Sequence, residues 1–207
     1  MDDTAGALDL FHWAGLPADD EALAAFEGPD DFFTYPHETH PSLGANLRVL
    51  CALRDSTCPR REAWSAKALA MVRRYAGTPP WFDKWHISPY YLGDLAGRAL
   101  LGVADDLLGL LVHWVRATQR PDGGWGYYGC STAEETAFGL LTLLAVRRVH
   151  GPTDPDALGA AARFLAAHAF EPRRTPLWVN KVLYHPKLVV DAVEAAALHA
   201  YLHDGGG

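Results

Sequence analysis

The chain has 207 residues, 49% hydrophobic and 21% charged, with a net charge of −7. That length can bury a sizeable core in one domain, and the acidic balance argues against nucleic acid or an anionic membrane surface as partner. The longest apolar runs, such as Leu107–Val112, are too short to cross a bilayer; Met1 is followed by acids rather than by a basic leader, and Cys51, Cys58 and Cys130 have no metal or redox spacing, so the chain reads as cytoplasmic.

Helical periodicity dominates and strand alternation is nearly absent. Asp2–Ala14 carries Ala5, Leu8 and Phe11 and stops at Gly15-Leu16-Pro17. Asp19–Phe26 is a short helix, and residues 27–41 form a loop rich in Asp, aromatics, His and Pro. Ser42 caps a helix bearing Leu43, Asn46, Leu47, Leu50 and Leu53. Arg60–Tyr75 is a helix with a charged face, followed by a Pro- and Trp-bearing loop over 76–88. Pro89 opens the next helix at its first position, and Asp105–Gln119 follows. A loop over 120–130 leads into Ser131-Thr132-Ala133-Glu134, read as a capping box that starts a helix reaching about Val149. Asp156–His168 is the next helix; a long loop over 169–185 ends at Pro186, and the last helix runs to about His203. Gly205-Gly206-Gly207 reads as a disordered tail.

A pattern repeats through these elements. A loop with Gly, Pro or aromatics leads to a polar start and then to an apolar helix rich in small residues, with starts near Asp2, Ser42, Pro89, Ser131 and Pro186. Between successive starts lies a helix with a more charged face, such as the one bearing Arg60, Arg61, Glu62, Lys67, Arg73 and Arg74. Stacked helical hairpins of this kind put the apolar helices in an inner ring and the amphipathic ones outside. The expected fold is therefore all-α, an α/α barrel of helical hairpins. Five inner starts are visible where a barrel of six hairpins needs one more, so the barrel is expected to be incomplete at its N-terminal side.

Several short segments carry a resemblance. Asp2-Asp3-Thr4-Ala5 looks like the end of a D-x-D-D-T-A motif, whose first Asp would stand immediately before Met1. Gln119-Arg120-Pro121-Asp122-Gly123-Gly124-Trp125-Gly126 resembles the QW motif of triterpene and diterpene cyclases, with Ser131 to Ala137 following at the family's spacing. Phe33-Thr34-Tyr35 through Ser42, Asn46 and Val49-Leu50 is similar to the family's F-T-Y…S…N…V-L stretch. Asp83-Lys84-Trp85-His86-Ile87-Ser88-Pro89-Tyr90-Tyr91 resembles D-K-W-H-x-S-P-Y-Y, and Pro176-Leu177-Trp178-Val179-Asn180-Lys181 with Leu183-Tyr184 resembles the closing P-L-W-V-x-K-x-L-Y segment. Together these blocks resemble bacterial class II diterpene cyclases of the copalyl diphosphate synthase type, with residues 1–204 matching the C-terminal, larger part of the family's β domain.

The resemblance implies a protonation-initiated cyclisation of geranylgeranyl diphosphate to a copalyl-type diphosphate. It makes Asp2 the proton donor and Asp3 its hydrogen-bonding neighbour. An alkene is a very weak base, so the donor must be a carboxylic acid kept neutral by burial and by a nearby like charge. Aromatic faces stabilise the carbocations that follow, and Trp85, Tyr90, Tyr91, Trp125, Tyr127 and Tyr128 are candidates for the pocket wall, together with Asn46. Each aromatic has a plainer reading as a wedge between hairpins, which is the stronger one for Trp125. The retained diphosphate needs electrostatic anchoring, for which Lys84, Lys181 and Arg48 are candidates. Where the family has N-x-H, this chain has Asn46-Leu47-Arg48, and an arginine cannot accept a proton. The resemblance implies Mg²⁺ beside the diphosphate and no organic cofactor; the histidines make no zinc spacing. Apart from the prenyl diphosphate, the expected partner is a second copy of the chain, through apolar surface left on the unmatched side. Two other readings stay open: a catalytically inactive barrel remnant or interaction module, and a squalene-hopene-like cyclase.

Overall fold

The computed structural model describes residues 1–38, 40–150, 155–172 and 174–205. In chain order these form α1 (Asp2–Trp13), a 3-10 turn (Asp20–Phe26), α2 (Leu43–Leu53), α3 (Arg61–Tyr75), α4 (Tyr90–Leu100), α5 (Asp105–Ala117), α6 (Ala133–His150) and α7 (Pro155–His168). Two short strands follow, β1 (Trp178–Val179) and β2 (Leu183–Tyr184), then α8 (Lys187–Ala200) and a π-helical turn (Tyr201–Gly205). Of the tail expected to be disordered, Gly206 and Gly207 lie outside the described residues, and Gly205 ends the π turn.

The five apolar helices pack in sequence order as an inner layer: α1 on α2, α2 on α4, α4 on α6 and α6 on α8. Outside them, α3 packs on α2, α5 on α4 and α6, and α7 on α6 and α8. This is the hairpin stack that the spacing predicts. Burial follows the layer. In α2 every residue from Gly44 to Leu53 is buried except the half-buried Arg48, whereas α3 buries one stripe, Trp64, Ala68, Met71 and Val72. The inner layer is an arc rather than a closed ring, because α8 does not pack against α1 as successive inner helices do. Its end helices are covered on one side only: α1 buries Ala5 and Leu8, while Trp13 is 83% exposed, and α8 buries Val190, Glu194 and Ala197, while Leu188 is 81% exposed.

The Gly-rich loop before α6 has a packing role. Trp125 is fully buried; its indole Nε1–H donates to the Val115 carbonyl at 2.7 Å and its backbone N–H to Thr136 Oγ1 at 3.0 Å. Gly139 gives the ring its seat, since a Cβ there would lie 2.7 Å from the indole. Tyr90 stacks on Trp114 with ring centres 4.8 Å apart, next to Trp125. Both residues were candidates for the pocket wall. They are instead wedges between α4, α5 and α6, where an aromatic side chain contributes most of its large area.

Asn46 also leaves the candidate wall. It is fully buried, its Oδ1 accepts the Phe32 N–H at 3.0 Å, and its Nδ2 donates to the carbonyls of Phe32 at 3.1 Å and Ser42 at 3.0 Å. It ties the 27–41 loop to the first turn of α2. Two further features differ from the sequence reading. The start of α6 is capped by Thr132, whose Oγ1 accepts the Glu135 N–H at 3.1 Å, one residue later than the expected box, and Ser131 donates instead to Asp122 Oδ1 at 2.9 Å. The long loop before α8 contains the β1–β2 hairpin, and β1 also pairs with the 85–87 stretch: Val179 N–H donates to the Trp85 carbonyl at 2.8 Å and Ile87 N–H to the Leu177 carbonyl at 2.9 Å.

Removing the Asn46 clamp should be costly. Asn46→Ala strands the buried Phe32 N–H and C=O groups, and we expect a loss of roughly 2–4 kcal/mol, read from the urea unfolding midpoint. A change within a few tenths of a kcal/mol would contradict the clamp.

Candidate active site

A cavity of about 550 Å³ opens between α1, the N-terminal half of α4 and the paired loops, and is lined by Asp2, Arg48, Trp85, Tyr91, Trp178 and Tyr184 among others. Its size falls within the range of small-molecule sites, roughly 300–1,000 Å³. The first turn of α1 delivers Asp2 to it. Asp2 Oδ1 is buried and has no hydrogen-bond partner. Burial pushes this carboxyl above the ordinary range for aspartate, with Arg48, the amino terminus and Trp85 pulling it down and Asp3 pushing it up. Asp3 also borders the cavity but is exposed, so it is a more distant, solvated neighbour.

Arg48 comes from the middle of α2, where its neighbours along the helix are all buried. Its guanidinium donates to the Tyr91 hydroxyl at 2.7 Å. Burial works against the cation, yet Tyr91, Asp2 and Asp83 hold its pKa above the usual arginine value. Tyr91 is raised as well, by burial, so its phenol is neutral near pH 7. Asp83 lies behind this group. Burial and the charge of Asp2 raise its carboxyl, against the backbone N–H groups of Trp85 and Lys84 and the charge of Arg48.

The aromatic wall is held from a third direction. Trp178 is placed by the pairing of β1 with residues 85–87, and its Nε1–H donates to Glu134 Oε1 at 2.7 Å. The same Glu134 oxygen lies 3.1 Å from His86 Nε2, and the His86 ring, fully buried, stacks on Tyr91 at 5.0 Å. Trp178 meets Tyr91 edge-on at 5.4 Å, and Tyr35 meets Trp85 edge-on at 5.9 Å. Glu134 can serve this wall because the cap of α6 falls on Thr132, which leaves Glu135 rather than Glu134 to close the cap.

Of the candidate residues, the structure brings Asp2, Asp3, Arg48 and Trp85 to one cavity. Lys84 turns away from it to a 2.6 Å ion pair with Glu38, and Lys181 is exposed in the turn between β1 and β2. Tyr90, Asn46 and Trp125 do not line it. The sequence reading did not single out Trp178 or Asp83 as site residues, although the P-L-W-V and D-K-W-H-x-S-P-Y-Y segments contain them, whereas Tyr91, one of its wall candidates, lines the cavity. A larger cavity, about 620 Å³, lies elsewhere and is lined by Asp122, Arg163, Glu171, Arg174 and Glu194, with Phe164 and His168 as its rings. Such a charged lining suits neither an isoprenoid chain nor a carbocation, so the aromatic cavity at Asp2 is the candidate site despite its smaller volume. Among the described residues no group of three His, Cys, Asp or Glu side chains could hold a metal ion, and no helix is long and apolar enough to cross a membrane.

The site is thus a carboxyl with one buried, unpartnered oxygen, presented to an aromatic cavity by a stack of helical hairpins. No family model matches the chain. It is 36% identical, over 95% of its length, to a type B diterpene cyclase of Mycobacterium tuberculosis, of which it covers 40%. It is 32% identical, over 92% of its length, to an ent-copalyl diphosphate synthase of Streptomyces sp. (strain KO-3988), of which it covers 39%. Its fold matches the ent-copalyl diphosphate synthase from Streptomyces platensis with a TM-score of 0.82 at 27% identity, over all of this chain and 41% of that one. Nearly all of the chain is thus similar to part of the diterpene cyclases of the copalyl diphosphate synthase type, and it spans about two fifths of the length of these relatives.

The raised carboxyl of Asp2 has a consequence for stability. The folded chain binds this proton more readily than the unfolded chain does. Its contribution is therefore intact below the unfolded aspartate value, near pH 4, and is lost as the pH rises through the higher folded value. Asn mimics the neutral acid, so Asp2→Asn should be more stable than the wild type near neutral pH, with the gain closing below about pH 4 in urea unfolding series. An Asp2→Asn variant less stable than wild type at neutral pH would contradict this.

Proposed function

We propose that this chain supplies the acid and part of the pocket of a class II diterpene cyclase acting on geranylgeranyl diphosphate. The observation that carries the reading is the Asp2 carboxyl, raised by burial and with its Oδ1 buried and unpartnered, at the wall of a cavity lined by Trp85, Tyr91 and Trp178. Asp2 gives its proton to the terminal alkene; the alkene's electron pair forms the new C–H bond and leaves a tertiary cation. Neighbouring alkenes close two rings by attacking successive cations, and loss of one proton ends the sequence, so substrate and product are isomers. No phosphorus–oxygen or carbon–oxygen bond breaks. Trp85 and Trp178 offer ring faces to the moving charge without capturing it, an attraction worth about 0.5–2 kcal/mol per ring.

The chemistry also sorts the cations. The alkene that takes the proton and the diphosphate are at opposite ends of the substrate. Arg48 sits beside Asp2 and therefore serves the acid end, not the diphosphate as its charge alone suggested. Lys181, on the hairpin whose Val179 and Tyr184 line the cavity, is the better-placed anchor, because Lys84 is already paired with Glu38. The described residues form no carboxylate cage for Mg²⁺, so no step is assigned to it. The apolar residues exposed on α1 and α8 fit closure of the arc by further helices of the working enzyme better than a second copy of the chain, because the relatives are more than twice as long.

The test joins this chain to the preceding part of the Streptomyces platensis ent-copalyl diphosphate synthase and supplies geranylgeranyl diphosphate. Phosphatase treatment should release a bicyclic alcohol, and Asp2→Asn in the same chimera should lower turnover by about a hundredfold or more. We expect little turnover from the chain alone. Undiminished activity in Asp2→Asn would remove Asp2 as the acid. A well-folded chimera without turnover would favour an inactive helical remnant.

A further inference from the structure

The two indoles at the cavity wall have neighbours of opposite charge. Trp85 has the Lys84 ammonium 5.7 Å from its ring centre, a positive charge that already draws on the ring's electrons. Trp178 has a carboxyl group instead: its Nε1–H donates to Glu134 Oε1 at 2.7 Å. Glu134 is buried and is not part of the lining of the cavity that both indoles border. Whatever it does for that cavity, it does through the ring it holds.

The contacts of Glu134 favour its anion. The same Oε1 receives a second donor: His86 Nδ1 accepts the Ser88 N–H at 3.1 Å, which puts the proton of the neutral imidazole on Nε2, 3.1 Å from Glu134 Oε1. The Ser88 carbonyl is 3.2 Å from Nδ1 as well, but an N–H aimed at that nitrogen leaves no room for a second proton on it. Two N–H groups converging on one oxygen favour the ionised carboxyl. Glu134 Oε2 is buried with no hydrogen-bond partner, so a proton there would have no acceptor. Glu134 is also in the first turn of α6, an 18-residue helix whose N-terminal end favours negative charge. Among the described residues neither Lys nor Arg forms an ion pair with it, so its charge is not cancelled at close range. An indole whose N–H is bound to an anion has a more negative face, and a cation over that face is held more tightly. We propose that Glu134 makes Trp178 the stronger cation holder of the two wall indoles and so fixes where positive charge comes to rest in the cavity. Glu134 is then a positioning residue that acts through Trp178, and the inference rests on the reading of the cavity as a carbocation pocket.

The test uses the whole chain carrying Asp2→Asn, so that no charge on Asp2 enters and the result does not depend on Asp2 being the acid. Its probes are protonated N,N-dimethylgeranylamine, whose ammonium head stands in for a tertiary carbocation, and geraniol, a neutral isoprenoid with the same chain; binding is read from tryptophan fluorescence near neutral pH. The amine should bind more tightly than geraniol. Adding Glu134→Gln should weaken the amine about tenfold while leaving geraniol within about twofold. Equal losses for both probes would make Glu134 a packing residue only, and an unchanged amine affinity would remove its role altogether; either result overturns the proposal. An amine bound no better than geraniol before Glu134 is changed overturns the carbocation pocket with it, whereas turnover of the chimera tests Asp2 separately. If the Glu134→Gln chain does not fold, the ¹⁵N-labelled Asp2→Asn chain decides. Its Trp178 indole N–H should resonate downfield of those of Trp81 and Trp125, which donate to neutral carbonyls at 2.7 Å. A Trp178 signal level with theirs or upfield of them overturns the proposal.

Discussion

A guanidinium inside the wall of an apolar cavity has to be balanced, and the elements around this site are arranged to balance Arg48. Tyr91 accepts from it, and Asp2 and Asp83 interact with it from α1 and from the loop before α4. Each of these groups is held by a different part of the fold. Asp2 depends on the packing of α1 on α2, Asp83 on the absence of a side chain at Gly44, and Tyr91 on the ring stack with His86. A lone buried cation would cost several kcal/mol, so a shift of any of the three elements would be felt at the others. The Asp2 carboxyl is raised by its burial, against the pull of Arg48, the amino terminus and Trp85.

The aromatic side of the cavity is built by the same economy of contacts. Two loops far apart in sequence, around Trp85 and Trp178, pair as short strands, and this backbone pairing sets both indoles at one wall. Glu134 then fixes Trp178 from α6 and reaches His86 with the same oxygen. A carboxylate accepting the indole N–H also adds electron density to the ring, which strengthens its attraction for a cation.

Much of the fold was legible because the inner helices are rich in apolar and small residues and begin at polar or proline starts at near-regular spacing. The five inner helices, their order and the three outer helices between them agree with that reading. The β1–β2 hairpin was not legible, since two-residue strands carry no alternation to detect. The cap of α6 was misplaced by one residue because Ser131 and Thr132 are both competent caps with an acid three residues later; the structure separates them through Asp122, which takes Ser131. At the site, residue type and motif located Asp2 and Trp85, but could not tell wall from wedge. Tyr90 and Tyr91 are adjacent, and helical geometry sends one to the Trp114–Trp125 wedge and the other to the cavity. Asp83 was hidden for a different reason: its significance lies in the glycine opposite, 39 residues earlier, a relation visible only in three dimensions.

The central claim is that Asp2 is the acid at the wall of the aromatic cavity. Neutron diffraction from a crystal of the chain exchanged into D₂O near neutral pD locates that proton directly. The account predicts a deuteron on the Asp2 carboxyl. A bare Asp2 carboxylate in salt-bridge contact with Arg48 would contradict it.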